Sequence, residues 1–422
     1  MKINFAKLNH VLVPSTKPAR DRLRKGLLGP LIRPFGALYD GLTDEGRVVF
    51  LLSFIVGGFG IDVHGSEVHV LWAALAALLA GTLLVTRFHG LTPFRVEVSA
   101  PRRVTLGDTI TFTVVLHNDG AADRHAVRVR GPFLPWDGRW TVLSPRVPRL
   151  AAGARVRVEA SARFLERGEH HLDPFQAAAL VPLGLTLGPS VASAGVRFLV
   201  VPKIANVVRL GTPSGRRHQP GGVALASKTG ESMDLLGVRP YRAGDPVRHL
   251  HARSWARAGS PMVREYQEEY FSRIGVLVET ADPGGDRFEA MLSLAAGVVA
   301  RLSRGEALID LLVTGDRVHD LTLGRHLGFL EQALDLLACA EARSEPLAVD
   351  AVLALLSPHL SRLSCVIVVT STWDRGVLAE RIRGFGVGCT TLVVAGDEPE
   401  VRGRDVHSIR ASAITRGEAL SL

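Results

Sequence analysis

Two apolar runs without a single charge, close together near the start of the chain, constrain its fold more than any other feature. Residues 48–61 read VVFLLSFIVGGFGI and residues 70–85 read VLWAALAALLAGTLLV. The segment between them, DVHGSEVH, carries Asp62 and Glu67 but no Lys or Arg. A helix needs about 20 mostly apolar residues to cross a bilayer. The second run, extended from Val68 to Phe88, reaches that length with Arg87 near its end. The first reaches it only by borrowing residues as far as His64 or by meeting a thinned bilayer. The expectation is a transmembrane helical hairpin over residues 47–88, with a buried helical hairpin in a soluble core as the competing arrangement. A cleaved signal peptide is not expected, because the apolar run begins too far from Met1.

Charge gives that hairpin an orientation. The net charge of the 422-residue chain is +9. Residues 1–47 hold nine Lys and Arg against four Asp and Glu, so five of the nine excess charges precede the first apolar run. By the positive-inside rule, this basic segment (residues 1–46) and everything after Arg87 lie on the cytoplasmic side. The same distribution argues against nucleic acid as a partner, since basic residues elsewhere alternate with acidic ones. Cys339, Cys365 and Cys389 are isolated in sequence and read as buried thiols of a reducing compartment, not as a disulfide frame or zinc site.

Beyond the apolar runs the rhythm changes twice. Over residues 92–202, stretches such as TITFTVVLHNDG, HAVRVRGP and RVRVEASARF alternate apolar and polar positions between Gly, Asn, Asp and Pro. That pattern predicts an antiparallel β-sandwich, with Asn118-Asp119-Gly120 as a turn between strands. His170 and His171 are adjacent, so on a strand they face opposite ways and cannot chelate together. Residues 203–229 read as a Gly/Pro/Ser-containing connector. In the last part, residues 271–422, strand-like runs (274–280, 307–314, 365–372, 389–396) alternate with helical ones (287–303, 327–340, 376–385). This predicts a mostly parallel sheet covered by helices.

Between connector and α/β region lies a segment, residues 230–270, unusually rich in Arg and aromatic side chains. It contains Arg239, Tyr241, Arg242, Gly244, Asp245, Arg248, His251, Arg253, Trp255, Arg257 and Glu265. Arg makes planar, bidentate and stacking contacts that Lys cannot. Two readings stand. One is a docking surface for an acidic or phosphorylated partner. The other is an internal clamp in which Glu231, Asp245, Glu265, Glu268 and Glu269 neutralise the arginines and lock the segment onto the α/β domain. His249 and His251 lack a third ligand at recognisable spacing for a metal.

The stretch GES…L…VRPYRAGDPVRHLHARSWARAGSPMVREYQEE resembles the signature of the family called domain of unknown function 58. The order of parts is similar too: membrane hairpin, β domain, signature, then an α/β domain like that of von Willebrand factor type A. The element VPLGLTLG (181–188) resembles the family's Asp-Pro-Phe-Gly-Leu, with Val181 and Leu183 in place of its Asp and Phe. Ala252 stands where the family commonly has Trp, and Trp255 is the residue able to fill that space. The resemblance implies a multidomain chain: transmembrane helical hairpin, antiparallel β-sandwich, and an α/β type A-like (Rossmann-like) domain. It further implies a non-enzymatic, membrane-anchored adaptor in the bacterial cytoplasmic membrane, multi-pass, associated with a MoxR-type AAA+ ATPase. Type A domains can hold Mg²⁺ through Asp-x-Ser-x-Ser, since that hard cation needs several oxygen ligands. The aligned positions here are Glu279, Ala281 and Pro283. A degenerate site of this kind would draw on Glu279, Asp282, Thr370 and Ser371, and no other cofactor is expected. The alternative function is an enzyme with its site at 241–257, using His251 or Asp245 as acid/base and Arg248 and Arg253 to hold an anionic substrate. No HExxH, GxSxG or Walker motif supports catalysis.

Overall fold

The computed structural model describes residues 41–59, 67–142, 146–211, 235–245, 247–266, 273–281, 285–304, 308–314, 318–323, 328–372, 376–396 and 405–422. They form two compact units, Met1–Lys203 and Ile204–Leu422.

The first unit begins with helix α1 (Asp44–Phe59), followed by α2 (Val68–Val85) and a 3-10 turn (Thr86–Phe88). Thr43 starts α1: its Oγ1 accepts from the Gly46 amide at 3.0 Å, which satisfies a helix donor that would otherwise be orphaned. Asp44 and Glu45 follow in the first turn, where the helix dipole favours acids. Among the described residues, one helix, Val68–Phe88, is long and apolar enough to cross a membrane. The expected pair of spans is therefore corrected to one candidate. α1 has 16 residues and opens on Asp44, Glu45 and Arg47. Its apolar part, residues 48–59, rises only about 18 Å, and the residues it was expected to borrow lie outside those described. The basic segment is likewise outside them up to residue 40.

The alternating sequence that follows folds as sheets. One is ordered β1 (Phe94–Ser99), β3 (Thr109–Asn118), β7 (Arg155–Phe164), β5 (Gly138–Val142). A second is ordered β10 (Val191–Ala192), β9 (Gln176–Ala179), β4 (Arg124–Arg130), β6 (Val147–Leu150), and a third β2 (Arg103–Thr105), β11 (Val196–Val201), β8 (Gly168–Leu172). Apart from the parallel β2–β11 pair, the ladders are antiparallel. Alternate residues turn inward, Ile110, Phe112, Val114 and Leu116 from β3 and Val158, Ala160, Ala162 and Phe164 from β7. Asn118 does make a turn, with Gly120 N donating to its Oδ1 at 3.2 Å. Its amide nitrogen also donates to the carbonyls of Ala122, Leu150 and Ala151. The chain thus passes from β3 to β4, which belong to different sheets.

His170 and His171 do face opposite ways, the first buried and the second exposed. His170 is enclosed by Phe164 and Phe198, stacked on the latter at 16°. Its Nε2 lies 2.9 Å from Asp137 Oδ2 and its Nδ1 3.1 Å from the Gly168 carbonyl. Both ring nitrogens thus face oxygen acceptors, which suits the doubly protonated imidazolium. Burial pulls its pKa down, but the hydrogen bond and charge of Asp137 outweigh this and raise it above the ordinary value of 6.5. A folded pKa above the unfolded one means the pair stabilises fully below pH ~6.5 and loses that contribution as pH rises through the folded value. Hydrogen-exchange protection of the β8 and β11 amides in urea is therefore expected to weaken as pH rises above ~6.5, allowing for the intrinsic change in exchange rate. That slope should be absent in His170→Gln; an equal slope in the variant would assign the effect elsewhere.

The second unit is built on one six-stranded sheet. Its order is β17 (Val318–Leu323), β16 (Leu308–Thr314), β15 (Arg273–Glu279), β18 (Cys365–Thr370), β19 (Gly388–Ala395), β20 (Val406–Arg410). All neighbours are parallel except the edge strand β17. Helix α4 (Asp286–Leu302), with the apolar spacing expected of it, lies against β15, β18 and β19. Helices α6 (Val349–Leu360) and α7 (Gly376–Gly384) bury Leu356, Leu360, Leu378 and Ile382 with Val366 and Val368 of β18. Helix α5 (Gly328–Ala338) meets α4, and α8 (Ala411–Arg416) meets both α4 and β20.

The start of the expected connector is structured. Strand β12 (Val207–Arg209) pairs in parallel with β21 (Leu420–Ser421), and Ala205 N donates to the Ser293 carbonyl at 3.0 Å. Gly297 makes this approach possible, since a Cβ there would lie 2.5 Å from the Ala205 oxygen. Cys365 and Cys389 are buried as expected, whereas Cys339 is exposed just beyond the end of α5. Cys389 pairs with Val366 and Cys365 with Gly388, so the two buried thiols point to opposite faces of the sheet. Burial raises each pKa to about 11, which leaves them poor nucleophiles.

Candidate functional site

The Arg-rich segment folds as a hairpin with a helical insert. Strand β13 (Leu235–Pro240) pairs antiparallel with β14 (Met262–Tyr266), Arg239 opposite Val263. The insert leaves β13 through a turn in which Asp245 N donates to the Arg242 carbonyl at 3.0 Å and Gly244 takes φ +107°, a conformation costly for other residues. A 3-10 turn (Val247–His249) and helix α3 (Ala252–Ala258) follow, and Gly259 ends the helix at φ +68°. His251 N donates to the Met262 carbonyl at 2.8 Å, tying the insert back onto β14. His251 Nδ1 is 2.7 Å from Ser254 Oγ.

Asp245 organises the turn. Arg239 grips it bidentately, Nη1 to Oδ2 at 2.7 Å and Nη2 to Oδ1 at 2.8 Å, and the Arg242 amide adds a third donor at 2.8 Å. These donors, the Arg239 guanidinium first, lower the Asp245 pKa to about 2. Part of the expected clamp is thus present, but it closes within the hairpin. Glu231, Glu268 and Glu269 lie outside the described residues, and so does the side chain of Glu265. The remaining arginines face outward: Arg242, Arg248, Arg253, Arg257 and Arg264 are exposed. Among the described residues none of these five makes an ion pair. Tyr241, Val247 and Trp255 are exposed beside them. Ala252 and Trp255, one helical turn apart on α3, lie on the same side of it.

At the other candidate site, the carboxyl ends of β15 and β18 bring Glu279, Thr280, Thr370 and Ser371 together, all buried. In a sheet of this order, the crevice at that switch point is where ligands bind. The hydroxyls are turned to protein. Ser371 Oγ donates to the Ala281 carbonyl at 2.7 Å, Thr280 Oγ1 donates to the Thr314 carbonyl, and Thr370 Oγ1 is 2.9 Å from Thr372 Oγ1. Asp282 lies outside the described residues. Among the described residues no three His, Cys, Asp or Glu side chains are gathered as a metal requires. One described carboxylate among hydroxyls already bonded to neighbouring protein atoms does not make, from the described residues, the octahedral oxygen cage that Mg²⁺ demands.

No protein-family model matches the chain, and no curated protein matches it. Among solved structures, native alpha-2-macroglobulin of E. coli is similar over 28% of this chain and 7% of that one, at 23% identity and TM-score 0.21. The CARDB domain of the PF1109 protein from Pyrococcus furiosus is similar over 26% of this chain and 87% of that one, at 15% identity and TM-score 0.17. The secreted serine protease VesC from Vibrio cholerae is similar over 30% and 26%, at 16% identity and TM-score 0.19. Likenesses this slight leave fold and function to be argued from the residues.

Sequence reasoning missed three ionic clusters. In the first unit Arg128 binds Asp44 and Glu45 at 3.0 and 3.3 Å, and Arg146 binds Glu45 at 2.6 Å. The Asp137–His170 pair is the second. The third is Asp310 in β16, held by Arg273. A lone acid in the run ALIDLLVT was the available signal, since buried carboxylates are almost always paired.

Proposed function

We propose that the chain is a non-enzymatic membrane adaptor of the domain of unknown function 58 type. In this reading α2 anchors it in a bacterial cytoplasmic membrane, with the units after Arg87 on the cytoplasmic side. The 235–266 hairpin docks a MoxR-type AAA+ ATPase, and the second unit is a type A-like interaction domain. The observation that carries the reading is the exposure of Arg242, Arg248, Arg253 and Arg257 together with Tyr241 and Trp255 in one hairpin insert. Arg242 lies in the turn pinned by Arg239 and Asp245, and among the described residues none of these four arginines makes an ion pair. Arg, Tyr and Trp are the residues enriched at binding hot spots. The order β17-β16-β15-β18-β19-β20, in which the first strand of the sheet by sequence lies between the second and the fourth, supports the Rossmann-like part of the reading. Asp245, with a pKa of about 2 and three donors, is ionised and saturated at neutral pH, which weighs against acid/base catalysis there.

The test is purification of the full chain from crosslinked membranes in mild detergent. Recovery of a MoxR-type ATPase is expected, with at least ~10-fold loss in Arg248→Glu/Arg253→Glu, since charge reversal at a docking face opposes a complementary partner. Hydrogen exchange across β13 and β14 should be unchanged in that variant, because neither residue belongs to the Arg239–Asp245 clamp. Absence of any such ATPase from the wild-type preparation, or its retention by the variant, would sink the docking proposal.

A further inference from the structure

The element 181–188 has a role that its sequence did not disclose. Residues 180–190, LVPLGLTLGPS, carry no charge. They are fastened to the bases of both helices. Thr43 N donates to the Leu185 carbonyl at 3.0 Å and Leu187 N to the Gly41 carbonyl at 2.8 Å. Thr43 Oγ1 donates to the Gly184 carbonyl at 2.7 Å, and Thr186 Oγ1 to the Thr82 carbonyl at 3.3 Å. Leu185 is buried with Leu42 and Leu79. Contact with α1 is so close that a Cβ on Gly46 would fall 1.9 Å from the Leu185 oxygen.

Length then fixes depth. The candidate span is Val68–Phe88, 21 residues, or about 31 Å of rise, which matches a hydrocarbon core of about 30 Å. The loop meets this helix at Leu79 and Thr82, inside the span. Residues 68–78 alone rise only about 16 Å, too little to cross. Leu84 and Phe88, past the loop contact, are 72% and 80% exposed, as apolar residues facing lipid would be. A bilayer that α2 crosses therefore reaches the level of the loop. There, Leu183 stands 71% exposed at φ +72°, a strained conformation for a residue with a Cβ. The backbone around it is suited to such a place. Val181 N donates to the Thr186 carbonyl, Gly184 N to the Val181 carbonyl and Gly188 N to the Ala179 carbonyl. Irregular chain at membrane depth requires that kind of internal satisfaction.

We propose that the loop 181–187 is a membrane-contacting element, with Leu183 seated on the lipid side of the headgroup–acyl boundary beside α2, where Thr82 lies about 9 Å inside the level of Phe88. The inference rests on reading α2 as a span, and the experiment separates the two. The full chain in a Cys339→Ser background is reconstituted in phosphatidylcholine/phosphatidylglycerol nanodiscs. Nitroxide labels are placed at Leu183→Cys, Leu84→Cys and, as a water reference, Arg157→Cys. The buried Cys365 and Cys389 should stay unlabelled. Oxygen should relieve saturation at positions 183 and 84 at least about twofold more than a water-soluble nickel complex, as at an interfacial depth, with the reverse at 157. A nickel-accessible label at 183 beside a lipid-exposed label at 84 overturns the loop proposal and leaves the span. Nickel access at both overturns both readings. A label at 183 shielded from both reagents places a protein partner there and also overturns the proposal. Pro182→Cys, likewise exposed, reads the same boundary should substitution of Leu183 disturb the turn.

Discussion

Phe112→Ala is expected to lower the stability of the first unit by about 3–5 kcal/mol. Phe112 sits on β3, between β1 and β7, with none of its surface exposed. Its ring meets Trp140 at 5.9 Å, Phe175 at 5.6 Å and Phe198 at 5.8 Å between centroids. These partners come from different strands and loops, so truncation removes the contact shared by several parts of the core. The hole would be walled by Trp140 and Phe198 on paired strands and by the buried Phe175, which close in only partly, and the cost grows with the unfilled volume. Phe112→Leu should lose clearly less. Urea-dependent hydrogen exchange of the β3 and β7 amides isolates this unit from the rest of the chain, which cannot be treated as two-state. A loss below ~1 kcal/mol would mean that these rings do not form one rigid cluster.

Asp310→Ala should destabilise the second unit by about 3 kcal/mol, the lower end for breaking a buried pair, because Arg273 keeps some access to water. Asp310 is 1% exposed. Arg273 donates Nε to its Oδ2 and Nη2 to its Oδ1, both at 2.8 Å, and His359 Nδ1 stands 3.7 Å away. Alanine removes the carboxylate and strands the guanidinium at the amino-terminal ends of β15 and β16. The double variant Asp310→Leu/Arg273→Met should recover much of the loss, since apolar replacement of both partners avoids leaving a charge alone. Hydrogen exchange of the β15 and β16 amides reads both. A double variant as damaged as the sum of the singles would show that the pair is not coupled as the geometry requires.

Much of the second unit was legible. The strand-like runs at 274–280, 307–314, 365–372 and 389–396 became β15, β16, β18 and β19, and the helical run at 287–303 became α4. Strands β17 and β20 escaped because VHDLTL and VHSIR are short edge strands interrupted by polar residues, and in β20 most positions are only half-buried, which weakens the pattern. The Arg-rich segment was recognisable as special, but its form was not. Arg248 to Arg257 could read as strand or helix. The choice fell to helix because Gly259 supplies a left-handed end and His251 is tied back to β14. The apolar run at 48–61 fell short of a span by itself, and the residues past Phe59 that it was expected to borrow lie outside those described.

The sequence by itself determined where strands alternate, where a long apolar helix lies and where turns fall, because those signals repeat over two to four residues and depend on near neighbours. Only the tertiary structure decided which carboxylate each arginine meets, as with Arg273 and Asp310, 37 residues apart. It alone seated the 181–187 loop against the two helix bases and brought β21 beside β12. Those outcomes depend on registers between distant segments, and hydrogen bonds and ion pairs select among them only once the sheets have brought the partners within reach.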